Sequence, residues 1–352
     1  MNGLPHERDV LLAPLTTMGV GGRARYFVAT PDESVAIEAL HYARDAGLPT
    51  LILGGGSNVV IHDDGFDGLV LQLRNQDLSF TQEGETTLVR AGAGILWDHL
   101  VDACVARGLA GVEAMGGIPG QVGAACVQNI GAYGQEIGDS IRELRVWDRV
   151  DDVMRVFPKE ACAFSYRDSI FKSGAPRRYL ILEVTLALRP NPTPELRYRD
   201  LIQHFEGREA PDVAAIRDAV REIRASKGMV YSLDDPDSHS VGSFFMNPIV
   251  APEQLANVKR LARLADLSTP PSFVQPNGDF KLSAAWLIER AGIQRGERLG
   301  NAAISTRHVL AITNPGGATA AEVRALADHV QRKVHSFWGV HLVPEATLLP
   351  PR

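Results

Sequence analysis

The sequence predicts an α+β protein of two domains, the first the larger. Three observations lead there. Helical patterns and short apolar runs are interspersed along all 352 residues, a length that supports two or three domains and a sizeable core. One apolar run, Leu51-Ile52-Leu53, ends in Gly54-Gly55-Gly56-Ser57-Asn58, which has neither the Gly-x-Gly-x-x-Gly spacing of a Rossmann site nor the lysine of a Walker loop. Pro190, Pro192 and Pro194 then mark a break in the chain.

Residues 33–46 read as an amphipathic helix, ended by Gly47 and Pro49. A strand over 50–53 precedes the glycine turn. Gly68 to Leu73 and Thr86 to Arg90 read as strands, and Ile95 to Arg107 as a helix that Gly108 stops. Strands alternate with turns up to about Leu188. A helix runs from about Asp212 to Ser226, and Ser232 to Gly242 reads as a polar loop leading to a site. The last third carries helices near 252–265, 283–291 and 318–335, with an apolar strand at 309–313.

A formal net charge of −6 and the lack of any basic block argue against nucleic acid as a partner, so an anionic ligand must be met by local cations. Cys104, Cys126 and Cys162 match neither a zinc site nor a disulfide framework; no metal is expected, and a reducing compartment fits. The N-terminal residues Met1 to Arg8 have no apolar signal core, and the most apolar run, Tyr179 to Leu188, is too short to span a bilayer. A cytoplasmic protein with no membrane association is expected.

Five segments carry chemistry. Glycines 54–56 leave backbone N–H groups uncovered, which suits a pyrophosphate; a plain turn between strands is the other reading, and both stand. Residues 116–138 are dense in glycine yet almost uncharged, which means close approach of backbone to backbone or to a flat ligand; Gln128 and Asn129 favour a ligand. Phe164 to Lys172 gathers Tyr166, Arg167, Asp168 and Lys172. Arg167 offers a donor fork to a carboxylate or phosphate, or forms a structural pair with Asp168. Ser243, between Gly242 and Phe244-Phe245, is a hydroxyl in a dry setting, a proton donor, a nucleophile or a buried structural serine; it is not in a nucleophile elbow. Glu345 lies in an apolar, strand-like stretch, either with a buried partner or at a sheet edge facing water.

Taken together and in this order, these motifs resemble the UDP-N-acetylenolpyruvoylglucosamine reductase family. The likeness runs from Thr16-Thr17-Met18-Gly19-Val20-Gly21-Gly22 to Glu345, and the stretch around Tyr198 and 200–227 looks like the longer, type I, subtype. The resemblance implies a vanillyl-alcohol-oxidase/PCMH-like, two-lobed FAD-binding domain over 1–228, split near 70. It implies a smaller α+β substrate-binding domain over 229–340, and a segment 341–352 that carries Glu345 back to the FAD domain.

It implies non-covalent FAD, with NADPH as co-substrate and UDP-N-acetylglucosamine enolpyruvate reduced to UDP-N-acetylmuramate, by a monomer. Gly54, Gly55, Gly56, Ser57 and Asn58 would wrap the pyrophosphate. Gly117, Ile118, Pro119, Gly120, Gly123, Gln128, Asn129, Gly131, Ala132 and Tyr133 would line the rest of the cofactor. Arg167 and Glu345 match positions that polarise the substrate carboxylate, Glu345 either protonated or orienting a neighbour, and Ser243 matches the general acid. Tyr166, Tyr198, Arg224, Lys227, Asn247 and His308 would hold the substrate. Two departures stand out: Met246 replaces a usual lysine, and 300–308 differs from the more usual form, which touches the role of His308. A related flavin oxidase leaves Ser243 and the Tyr166-Arg167 pair without a purpose. A non-enzymatic nucleotide-binding protein has no use for three catalytic side chains.

Overall fold

The computed structural model describes residues 3–191, 194, 196 and 198–350; residues 1–2, 192–193 (with Pro192), 195, 197 and 351–352 lie outside the described residues. The chain divides into two compact units. Met1–Leu11, Arg23–Gly56 and Phe66–Val230 make the first, and Leu12–Gly22, Ser57–Gly65 and Tyr231–Arg352 the second.

The first unit holds two larger sheets. One orders its strands Glu7–Leu11, Arg23–Thr30, Phe66–Leu73, Thr50–Ile52, the first pair antiparallel and the others parallel. The helix Glu33–Asp45 buries Ala36, Ala39, Leu40 and Ala43, small enough for close approach of helix to sheet. Asp32 caps it through Ser34 N at 2.8 Å, which satisfies an otherwise orphaned donor. Arg145 grips Glu33 with a two-pronged fork, both contacts 2.7 Å, and so ties the helix to the second sheet.

That second sheet is antiparallel, in the order Val153–Pro158, Ile141–Asp148, Tyr179–Pro190, Thr86–Gly92, Leu78–Glu83; Leu109–Ala110 adds to Tyr179–Pro190. Tyr179–Pro190 is the apolar run noted above. It is central and mostly buried, which explains its near-continuous hydrophobic character. The three cysteines are buried free thiols. Burial pushes Cys104 and Cys162 up to about 12 and Cys126 well above the usual thiol range, so none is a ready nucleophile.

The second unit has a core of Phe244, Phe245, Trp286 and Trp338 with aliphatic neighbours. Its longest helix, Ala320–Trp338, starts in a capping box between Thr319 and Glu322 and ends at Gly339 in the left-handed region. Asp63 adds its carboxylate to the N–H groups of Ala320 and Ala321 at 2.7 and 2.9 Å.

Two expectations are corrected. The expected boundaries treat 1–228 as one continuous domain and send 341–352 back to it. Instead Leu12–Gly22 and Ser57–Gly65 belong to the second unit, and so does the C-terminal segment, because Thr347–Leu348 pairs in parallel with Val59–Val60 there. The expected strand 309–313 shrinks to Ile312–Thr313. Its first half is a turn: Ser305 N bonds Ala311 O, Ala311 N bonds His308 O, and the Leu310 carbonyl is taken by Phe244 N.

Candidate active site

The glycine turn is packed closely against residues 120–124. A Cβ on Gly54 would lie 2.7 Å from Ala124 Cβ, and one on Gly55 would lie 2.7 Å from Gly120 Cα. One on Gly123 would lie 2.7 Å from Ala93 Cβ. Contacts that short do not occur, so these positions admit only glycine without movement. The 54–56 turn and the 117–123 loop therefore lie against each other within the first unit. The same segment contains the short helix Val122–Val127, which periodicity did not reveal.

Side chains outside the motifs brace this loop and the segments that flank it. Gly117 (φ 72°) donates its N–H to Asp98 Oδ1 at 2.7 Å, and Asp98 in turn pairs with Arg221 at 2.7 Å. Glu113, 1% exposed, accepts from Gly111 N at 2.6 Å and Gln135 Nε2 at 2.9 Å. Sequence reasoning missed both carboxylates. The signal for Glu113 was a lone acid inside the apolar run Gly111 to Gly117; Asp98 had none, since it sits on the polar side of a helix.

Asn129 is buried and bends the chain at φ 46°. Its amide donates to Glu136 Oε2 at 2.7 Å and Ser165 O at 2.9 Å, while its oxygen accepts from Gly138 N at 2.9 Å. Arg167, at φ 56°, donates from Nη2 to Gly131 O at 2.7 Å and from Nη1 to Asn129 O at 3.4 Å. Its guanidinium thus reaches the 129–131 backbone, while the Asp168 carboxylate accepts from Ser169 N at 2.8 Å. Tyr166 lies beside it, ring to guanidinium 5.5 Å.

Tyr133, Tyr198, Arg224 and Lys227 come together at the end of the helix Val213–Ser226. The two tyrosine rings meet edge-on at 5.2 Å, and Lys227 Nζ sits 5.9 Å from the Tyr133 ring and 2.6 Å from Asp200. Burial pushes the Tyr133 hydroxyl up to about 12 and also raises Tyr198. Burial lowers the Arg224 guanidinium below its usual range; Nη2 donates to Met229 O at 2.9 Å, and its buried Nε has no hydrogen-bond partner. A desolvated, incompletely satisfied cation is poised for an anion.

In the second unit, Phe244 and Phe245 are buried and pin the serine motif. Phe244 N bonds Leu310 O at 2.8 Å; Glu345 N bonds Phe244 O at 2.8 Å, and Met246 N bonds Val343 O at 2.9 Å. Ser243 and Glu345 are therefore held at adjoining positions of an antiparallel contact, with Phe245 opposite Pro344. Ser57 and Asn58 belong to this unit, and Asn58 Nδ2 donates to Glu345 O at 3.3 Å. Asn247 uses its oxygen to cap a helix through Ala284 N at 2.9 Å. His308 Nδ1 accepts from Leu310 N at 3.1 Å, which puts the ring proton of the neutral form on Nε2. His239 lies against Tyr231, 5.6 Å between rings, and no hydrogen bond joins it to Ser243 among the described residues. The 232–242 loop is held by Arg307, which forks onto Asp235 with both contacts 2.8 Å, and by Asp237, which accepts from Ser305 Oγ at 2.8 Å.

A family model described as the C-terminal domain of UDP-N-acetylenolpyruvoylglucosamine reductase matches residues 234–349, and one described as an FAD binding domain matches 24–156. A UDP-N-acetylenolpyruvoylglucosamine reductase of Thermobifida fusca is 45% identical, covering 97% of both chains. One of Streptomyces coelicolor is 44% identical over 96% of this chain and 88% of its own. The crystal structure of the Thermus caldophilus reductase superposes with a TM-score of 0.68 at 26% identity, covering 99% of this chain and all of that one.

Proposed function

The chain belongs to the UDP-N-acetylenolpyruvoylglucosamine reductase family, and on that premise we propose how its residues divide the work. It is an FAD-dependent oxidoreductase that uses NADPH to reduce UDP-N-acetylglucosamine enolpyruvate to UDP-N-acetylmuramate in peptidoglycan precursor synthesis. When bound, FAD supplies hydride relay between the nicotinamide and the enolpyruvyl carbon.

The residues fit that group. A Cβ on Gly54 or Gly55 would collide with Ala124 or Gly120, so this turn keeps its backbone bare of side chains, and we assign the N–H donors of Gly54, Gly55 and Gly56 to a pyrophosphate, with Ser57 and Asn58 continuing the run. Gly117, Ile118, Pro119, Gly120, Gly123, Gln128, Asn129, Gly131, Ala132 and Tyr133 are assigned to the remainder of the cofactor. Arg167 supplies positive charge to the substrate carboxylate, with Glu345 as its partner in that task. Ser243 gives a proton to the carbon beside the carboxylate. A serine hydroxyl is a weak acid, so this step needs a strongly basic carbanion and a held geometry. Tyr166, Tyr198, Arg224, Lys227, Asn247 and His308 are assigned to the UDP-sugar. Asn247 would offer its Nδ2, the atom left by its helix-cap contact.

The observation that carries this reading is the pairing of 344–345 with 244–245, which holds Ser243 and Glu345 at adjoining positions. We also place the protein in the cytoplasm as a monomer. Its three buried cysteines, none in a disulfide, support the compartment. The test is anaerobic flavin absorbance. NADPH should bleach the purified protein, and UDP-N-acetylglucosamine enolpyruvate should restore the colour. Bleaching without recovery would move the substrate elsewhere; a colourless protein that takes up no FAD would sink the assignment.

A further inference from the structure

A cavity of about 180 Å³ opens in the first unit, lined by Leu40, His41, Arg44, Trp147, Arg149 and Arg177, with Val150 at its wall. None of these residues has been assigned to cofactor or substrate above. Three guanidinium groups on one small cavity repel one another, so their company calls for a reason. Arg44 is compensated: it pairs with Asp45 at 3.2 Å and approaches Asp152 at 3.8 Å. His41 takes the same Asp152 at 2.5 Å.

Arg149 and Arg177 are different. Arg149 donates to Arg177 O at 2.7 Å and Thr50 Oγ1 at 2.5 Å, both neutral, so the contact that fixes it brings the two arginines together. Among the described residues neither has a carboxylate partner. Burial, reinforced by the charge of Arg177, holds the Arg149 guanidinium below its usual range. Arg177 keeps its place at φ 63°, a conformation that favours glycine.

Trp147 also lines the cavity, and its indole is held differently from the others. The indole N–H groups of Trp97, Trp286 and Trp338 end on Met115 O, Ser268 Oγ and Leu287 O, whereas Nε1 of Trp147 is buried with no hydrogen-bond partner. A buried donor without a partner is costly in a folded chain.

We propose that this cavity binds a small phosphate-bearing molecule, its phosphate on Arg149 and Arg177 and its organic part against Trp147 and Leu40. Two uncompensated guanidinium groups match the charge of a phosphate monoester, about −1.5 to −2 near neutral pH, whereas a carboxylate would leave one unmatched. The volume exceeds the roughly 150 Å³ that accommodates a benzene ring, so a small ring is admitted.

The test uses FAD-loaded protein labelled with 5-fluorotryptophan and ¹⁹F NMR at fixed ionic strength. The Trp147 resonance is assigned with Trp147→Phe, and phenyl phosphate and inorganic phosphate are titrated against a chloride control. A saturable shift of that resonance is expected with phenyl phosphate, and a weaker one with inorganic phosphate. Arg177→Gln changes an exposed side chain and so keeps the fold; it should weaken binding about tenfold, as should Arg149→Gln. Absence of saturation, or saturation that Arg177→Gln leaves unchanged, overturns the proposal. No turnover is read, so the outcome is independent of the reductase assignment.

Discussion

The glycine cradle of the first unit and the serine motif of the second are built on opposite plans. In the function proposed above, the backbone of 54–56 and 117–123 is the working surface, and the Asp98 side chain stands behind it as a brace. At 243–247 and 343–345 the proposed working groups are side chains, and backbone pairing holds them. A site made of backbone is damaged by adding atoms. A site made of side chains is damaged by removing them.

The largest effect separates the two regions by half-reaction. Ser243→Ala should slow reoxidation of NADPH-reduced protein by the enolpyruvyl substrate roughly 10²–10⁴-fold, the range for a lost general acid, while leaving reduction by NADPH nearly unchanged. Stopped-flow flavin absorbance without oxygen measures both; equal loss in the two half-reactions would refute the acid role.

The converse is an addition in the cradle. Gly55→Ala sets a Cβ against the Gly120 backbone at 2.7 Å, which cannot give as a side-chain tip can. It should cost about 1–3 kcal/mol of stability and lower the FAD content of the purified protein. Thermal melts and flavin-to-protein ratio decide it. An unchanged melt with full FAD would show the turn to be more pliant than its packing indicates.

A third test asks whether the first unit is braced electrostatically as well. Asp148 is fully buried, and hydrogen bonds from Arg178 and then Arg155 hold its carboxyl well below the usual range. Because its folded value is depressed, its contribution is complete above the unfolded value, near 3.9, and is lost as the pH falls through the folded value. Asp148→Asn should therefore lower Tm at pH 7, and the gap to the parent should narrow below about pH 4. A gap that stays constant down to pH 3 would assign the role of Asp148 to shape alone.

The smallest effect lies in the second unit. Thr319→Ala removes one half of a capping box and should cost about 1 kcal/mol, read as a small drop in Tm with both half-reactions intact. Loss of activity beyond the loss of stability would tie this helix to the site.

The helix Glu33–Asp45 was legible because its signals are neighbours in sequence: the amphipathic pattern over 33–46 and the stop at Gly47 and Pro49. The helices Val213–Ser226 and Ala320–Trp338 were legible for the same reason. The strands Glu7–Leu11 and Leu78–Glu83 escaped notice because they are almost wholly exposed and carry no apolar alternation. The strand expected at 309–313 failed because a distant partner, Phe244, claims the Leu310 carbonyl within a turn.

By itself the sequence determined the inventory: uncovered glycines, one arginine, one serine and one glutamate in a recognisable order, together with most of the helices. Only the tertiary structure decided that Glu345 adjoins Ser243, that Ser57 to Gly65 belongs with the C-terminal unit, and that Arg167 reaches the 129–131 backbone. The reason is physical. Helix periodicity and caps act over three or four residues and are written locally, whereas pairing register and backbone contact join segments whose separation along the chain carries no trace of the match.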